Sequence, residues 1–147
     1  MKQGIKKTAI IGMIAIGVIV SVYIGVHTYG NCIIIEKYAQ GYEKNEFGDY
    51  CRSDSRHTFA VHKASLFSLF TNLSIAESEG NVDIIIWVDL FGNIKGIGTV
   101  ITTEDSTYQI LLDRDFNALE QEDEDILEEF SQSIAEMKYI AHREWDI

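Results

Sequence analysis

The sequence predicts one N-terminal transmembrane helix followed by an α+β, mainly antiparallel β outer domain, an incomplete, barrel-like sheet with one short helix. Three observations carry that prediction. Thr8 to Tyr29 contains no charged side chain, Val82 to Thr103 alternates with a period of two, and the acidic run Glu120 to Asp125 is followed by apolar residues at helical spacing.

The first of these runs reaches roughly 33 Å as a helix at about 1.5 Å per residue, enough to cross a hydrocarbon core of about 30 Å. Ile, Val, Met and Ala surround it on every side, so it has no polar face to offer water. Lipid also selects the helix, because only there does a single segment satisfy its own backbone groups. Lys2, Lys6 and Lys7 precede the run. Positive flanking charge stays on the cytoplasmic side, which makes residues 1–7 a cytoplasmic tail, 8–29 the span and 30–147 the part beyond the membrane.

A cleaved secretory signal shares the basic start and apolar run. The length of the run and the poor cleavage candidate Thr28-Tyr29-Gly30 favour retention, and Tyr29-Gly30-Asn31 before Cys32 does not make a lipid-attachment box. Gly17, Ser21 and Gly25 recur every fourth residue and stack on one helix face, where small side chains admit a second helix. Frequent glycine in membrane helices explains the same stripe without a partner.

Charge is lopsided. Three of the 12 Lys and Arg precede the span, so the remaining 9 face all 23 acidic residues, a formal charge of −14 beyond the membrane. Such a surface repels phosphate backbones and excludes nucleic-acid binding. Cys32 and Cys51 both fall on the outer side, where a disulfide persists. Pairing them would contribute roughly 3 kcal/mol in the chain-entropy model; two free thiols, or a bond to a partner, are the other outcomes. No proline is present, so none blunts a strand edge.

Residues 30–48 read as a stalk or connector, in which Ile33 to Ile35 either prolong the helix or begin an extended segment. The β-rich domain occupies 49–147. Phe59 and Val61 alternate with polar or small neighbours as a half-exposed strand. Leu66 to Ser78 places Phe67, Leu69, Leu73 and Ile75 on one strand face, although LFSLF also suits a helical turn. After the turn at Glu79-Gly80-Asn81, Val82, Ile84, Ile86, Val88 and Leu90 form an apolar face, Gly92-Asn93 turns the chain, and Ile94 to Thr103 returns as the second arm of a hairpin. Gly96 and Gly98 strip side chains from one face of that arm, as where a sheet bends sharply or a ligand or another chain comes close. Thr107 to Phe116 reads as a third strand, with Tyr108, Ile110, Leu112 and Phe116 on one face. A helix follows from about Asp123 to Ser131, its acidic start facing the positive end of the helix dipole. Ile134 to Trp145 fits both periods.

No catalytic motif of the G-x-S-x-G, H-E-x-x-H or C-x-x-C kind occurs, and none of the nucleophilic, zinc or redox chemistries they serve is indicated. His57 and His62 point to opposite faces of one strand, Asp113 and Asp115 share a solvated face, and EQEDED lacks the glycine and ligand spacing of a calcium loop. The chain reads as non-enzymatic, with no cofactor or metal. Five or six strands are too few to close a barrel around a ligand, which takes about eight. The sheet therefore either packs on its own helix or borrows a strand from a neighbour.

The order of these segments, with the cysteine strand FGDYCRSDSRHTFAV, the hairpin VDIIIWVDLFGNIKGIGTVITT and the strand YQILLDRDF, resembles the FidL-like family of enterobacterial inner-membrane proteins and, more distantly, ToxS and VtrC. The resemblance implies a single-pass inner-membrane protein with a periplasmic domain that joins a ToxR-type one-span transcriptional regulator in a barrel-like heterodimer binding a bile-acid-like molecule. Phe59, Val61, Ile84, Ile86, Val88, Val100, Tyr108, Ile110 and Leu112 would line its interior, and Ile134 to Trp145 would be a strand. A stand-alone membrane-tethered lipid or small-molecule carrier and an assembly factor for a secretion or pilus system are the alternatives.

Overall fold

The computed structural model describes residues 2–147, with side chains from Ile10 onward. Its first element is a helix, α1 (Lys2–Tyr38), longer than the uncharged run alone requires. It is the one helix among the described residues long and apolar enough to cross a membrane. From Ile10 to Val26 its side chains are exposed, as lipid-facing side chains would be in the absence of lipid.

The connector expected over 30–48 is therefore half helix. What prolongs α1 is burial: Ile34 and Tyr38 enter the core of the outer domain. Gly30 allows the approach, since a Cβ there would lie 2.6 Å from that of Leu90. The end of the helix is then fixed by three bonds. Tyr38 Oη and Lys37 Nζ donate to the Gly92 carbonyl at 2.8 and 2.9 Å, and Trp145 Nε1 donates to the Tyr38 carbonyl at 3.1 Å.

Seven strands follow as an antiparallel meander, each paired with its neighbour in sequence. They are β1 (Glu43–Lys44), β2 (Tyr50–Ser53), β3 (His57–Val61), β4 (Phe70–Glu77), β5 (Val82–Asp89), β6 (Ile94–Thr102) and β7 (Thr107–Leu112). The sheet does not close, because β1 and β7 are its two edges. Register places Phe59, Ile75, Ile84, Thr99 and Ile110 side by side, and Val61, Leu73, Ile86, Ile97 and Leu112 in the next row. All ten are buried. A short 3-10 turn (Gln121–Asp123), α2 (Glu124–Glu129) and α3 (Ser131–Trp145) complete the chain.

Three sequence expectations give way here. Ile134 to Trp145 is helix rather than the strand that the family resemblance implied: Ile134, Met137, Ile140, Ala141 and Trp145 are buried while Tyr139 is exposed, a helical stripe. The strand expected from Leu66 starts only at Phe70, leaving Phe67 and Leu69 exposed in the preceding loop. The strand expected to reach Phe116 stops at Leu112, where Asp113 opens a turn by accepting the N–H groups of Asp115 and Asn117 at 2.8 and 2.9 Å. Phe116 is still buried, but from a left-handed backbone position, φ 66°.

Candidate interaction surface

The nine residues expected to line a barrel interior divide into two groups. Phe59, Val61, Ile84, Ile86, Val88, Ile110 and Leu112 belong to one buried cluster together with Ile34, Met137 and Trp145. Side chains of α1 and α3 thus fill the space a ligand would need. Val100 does not share that face. It pairs with Asp83 and Gln109, so alternation turns it to the opposite side of the sheet. Tyr108, paired with Ile101, stands at the rim of the inner face and is 38% exposed.

A polar clamp closes the inner face along β2. Glu144, near the end of α3, accepts from Arg52 at 2.6 Å and from Tyr42 Oη at 2.7 Å, while the Arg52 guanidinium lies 4.8 Å from the centre of the Phe59 ring. Burial first, and then the Glu144 carboxylate, hold the Tyr42 phenol well above its usual pKa. It remains a neutral donor, suited to tying elements together.

Among the described residues no helix covers the other face. Ile85, Trp87 and Val100 are half-buried there, and Leu111 is 52% exposed. The Gly96 and Gly98 spacing finds its reason on this side. Trp87 lies over both glycines, and a Cβ at Gly98 would come within 2.9 Å of the indole and 3.1 Å of the Ile110 carbonyl. In place of the ligand or second chain expected there, the chain's own tryptophan comes close, at a register shift between Trp87 and Val88. Burial raises the pKa of the Asp83 carboxyl on the same face.

At the β7 margin, Leu119 N–H donates to the Leu111 carbonyl at 3.0 Å. Alternation then turns the backbone groups of Thr107 and Gln109 toward the same side. Among the described residues no strand lies beyond them. The opposite margin is blunted by β1, two charged residues long, a common device against edge pairing.

The remaining sequence candidates are not brought together. Cys32 is exposed on α1 and Cys51 half-buried on β2, both as free thiols, with Asn45 donating to Cys51 Sγ at 3.6 Å. Gly17 and Gly25 face open space, and Ser21 Oγ bonds back to the Gly17 carbonyl at 2.8 Å. His62 pairs with Asp49 at 3.0 Å, whereas His57 is buried on β3 beside Asp54. Sequence reasoning missed the repeated Asp-x-x-x-Asn turn, Asp89 to Asn93 and Asp113 to Asn117, in which the aspartate accepts backbone N–H groups and the fourth residue has positive φ. Its signal was the recurrence of DLFGN as DRDFN.

These features define a class: a helix-anchored domain with a one-sided open sheet. Comparison with known proteins adds no relative, since no family model, curated protein or solved structure matches the chain.

Proposed function

We propose that the chain is a non-enzymatic, single-pass bacterial inner-membrane protein, N-terminus in the cytoplasm and outer domain in the periplasm. It pairs with and modulates a ToxR-type membrane-bound transcriptional regulator. The observation that carries this reading is the β7 margin, open at Thr107 and Gln109, beside an uncovered, partly apolar sheet face. A strand supplied by the partner would bond to the backbone at Gln109 and extend the sheet, as in β-strand addition. The small-residue stripe fits the same arrangement: Ser21 and Gly25 lie two residues either side of Tyr23, roughly 200° around the helix from it. Tyr23 contacts the outer domain, so the stripe faces away, free for a second span. A bile-acid-like ligand would sit at the seam near half-exposed Tyr108, because the inner face is filled.

A photoreactive residue placed at Gln109 in the full chain tests this in membranes that also contain a ToxR-type regulator from the same organism. A one-to-one crosslinked product is expected from Gln109 and none from Glu79, in the turn between β4 and β5. Equal labelling at both positions, or none at either, contradicts the pairing. The alternative of a stand-alone carrier draws on a groove of about 610 Å³ between the Asp115–Ala118 turn and α2 and α3, lined by Phe116, Leu127 and Ile134. Uptake of an apolar ligand by the chain alone, lost on Leu127→Lys, would favour it.

A further inference from the structure

We infer that the loop from Ala64 to Phe70 is a second membrane contact, seated in the outer-leaflet boundary of the bilayer that α1 crosses. The inference rests on reading α1 as a membrane span.

Position comes first. About 20 residues cross the hydrocarbon core, so a span beginning after Lys7 ends near Thr28. Tyr23 and His27 lie below that level by at most roughly 8 Å, at about 1.5 Å per residue. The loop is bonded to both. Tyr23 Oη donates to the Leu66 carbonyl at 2.7 Å, His27 Nε2 lies 2.7 Å from the Ser65 carbonyl, and Asn31 Oδ1 accepts the Ala64 N–H at 2.9 Å. Asn31 Nδ2 lies 3.2 Å from His27 Nδ1. These bonds hold the loop against the helix at the depth where interfacial segments sit, about 5–10 Å into the headgroup and acyl boundary.

Chemistry agrees with position. The sequence ASLFSLF is uncharged in a domain of formal charge −14. Phe67 is 93% exposed, and Leu66, Leu69 and Phe70 are each about half exposed. Water is an unfavourable surrounding for that cluster, and the net negative charge of the domain gives anionic lipid no electrostatic reason to bind it. Apolar insertion remains. Part of the backbone is bonded within the protein: the carbonyls of Ser65, Leu66, Leu69 and Phe70 accept from His27 or Ser68, Tyr23, Leu90 and Ser68, and the groups around Phe67 are left to the hydrated headgroup region. Tyr29 and Phe91, both exposed, extend the apolar rim in the manner of an interfacial aromatic belt.

The experiment uses the full chain carrying Cys32→Ser and Cys51→Ser, with one cysteine introduced by Phe67→Cys, Ile19→Cys or Glu79→Cys and labelled with an environment-sensitive fluorophore. Each variant is reconstituted in phosphatidylcholine and phosphatidylglycerol vesicles containing lipid with a nitroxide near the headgroup end of its acyl chain or near its methyl end. The label at 67 is expected to be quenched several-fold more than the label at 79, and more by the shallow nitroxide than the deep one, with the label at 19 favouring the deep one. Quenching at 19 without quenching at 67 overturns the loop contact and leaves the span standing. Quenching at neither overturns both.

Discussion

The two faces of the sheet are made by the same strands with opposite results. On the inner face, Phe59, Ile75 and Ile84 meet α1 and α3 and are fully buried. On the outer face, Ile85 and Val100 are half-buried and Leu111 is exposed. The alternation of side chains decides which residue goes where, but only the later elements decide which face is sealed. Stability therefore belongs to the inner face, and the recruitment we propose to the outer one and its β7 margin.

Substitutions should separate the two, read as shifts in the thermal unfolding midpoint of the full chain. Phe59→Ala leaves a cavity at the centre of the inner face and removes the ring under Arg52, and should cost about 3–5 kcal/mol. A shift no larger than that of an outer-face change would mean the inner face is not the core. Gly98→Ala pushes a methyl group into the Trp87 ring and toward a backbone carbonyl, an overpacking cost of about 1–3 kcal/mol. Asp89→Asn weakens a turn in which the carboxylate accepts from Phe91 and Asn93 and pairs with Lys95 at 3.0 Å, at about 1 kcal/mol.

This last effect depends on pH. Partial burial raises the Asp89 pKa, but bonds from Asn93, Lys95 and Phe91 outweigh it and bring the value to about 2, from 3.8. A lowered folded value means stability present above the unfolded pKa and lost as pH falls through the folded one. The gap between wild type and Asp89→Asn should therefore be full at neutral pH and close between pH 3.8 and about 2. Smallest of all, Leu111→Ser on the open face should stay within about 0.5 kcal/mol, yet weaken co-purification with the regulator.

The same contrast explains what the sequence disclosed. The run from Val82 to Leu90 was legible because five alternating apolar residues admit one period. Ile134 to Trp145 was not, since Met137 and Ala141 belong to both the helical and the alternating sets, and the deciding contacts, Trp145 to Tyr38 and Glu144 to Arg52, span most of the chain. Nor could local pattern tell that α1 runs on to Tyr38, because the reason is the pocket formed by Leu90, Gly92 and Trp145. Of the candidate site, the glycine pair was visible, while its occupant, Trp87, required knowing the register. At Phe67 the apolar spacing is that of a strand, and the exposure of the loop becomes intelligible only beside the helix.

Hydrogen exchange at the Gln109 amide tests the central claim, an open margin completed by another chain, most directly. The account predicts rapid exchange in the chain alone and strong protection once the regulator is present, with the amide of Ile84 in the centre of the sheet slow in both. Protection at Gln109 in the isolated chain, or none in the presence of the regulator, would contradict it.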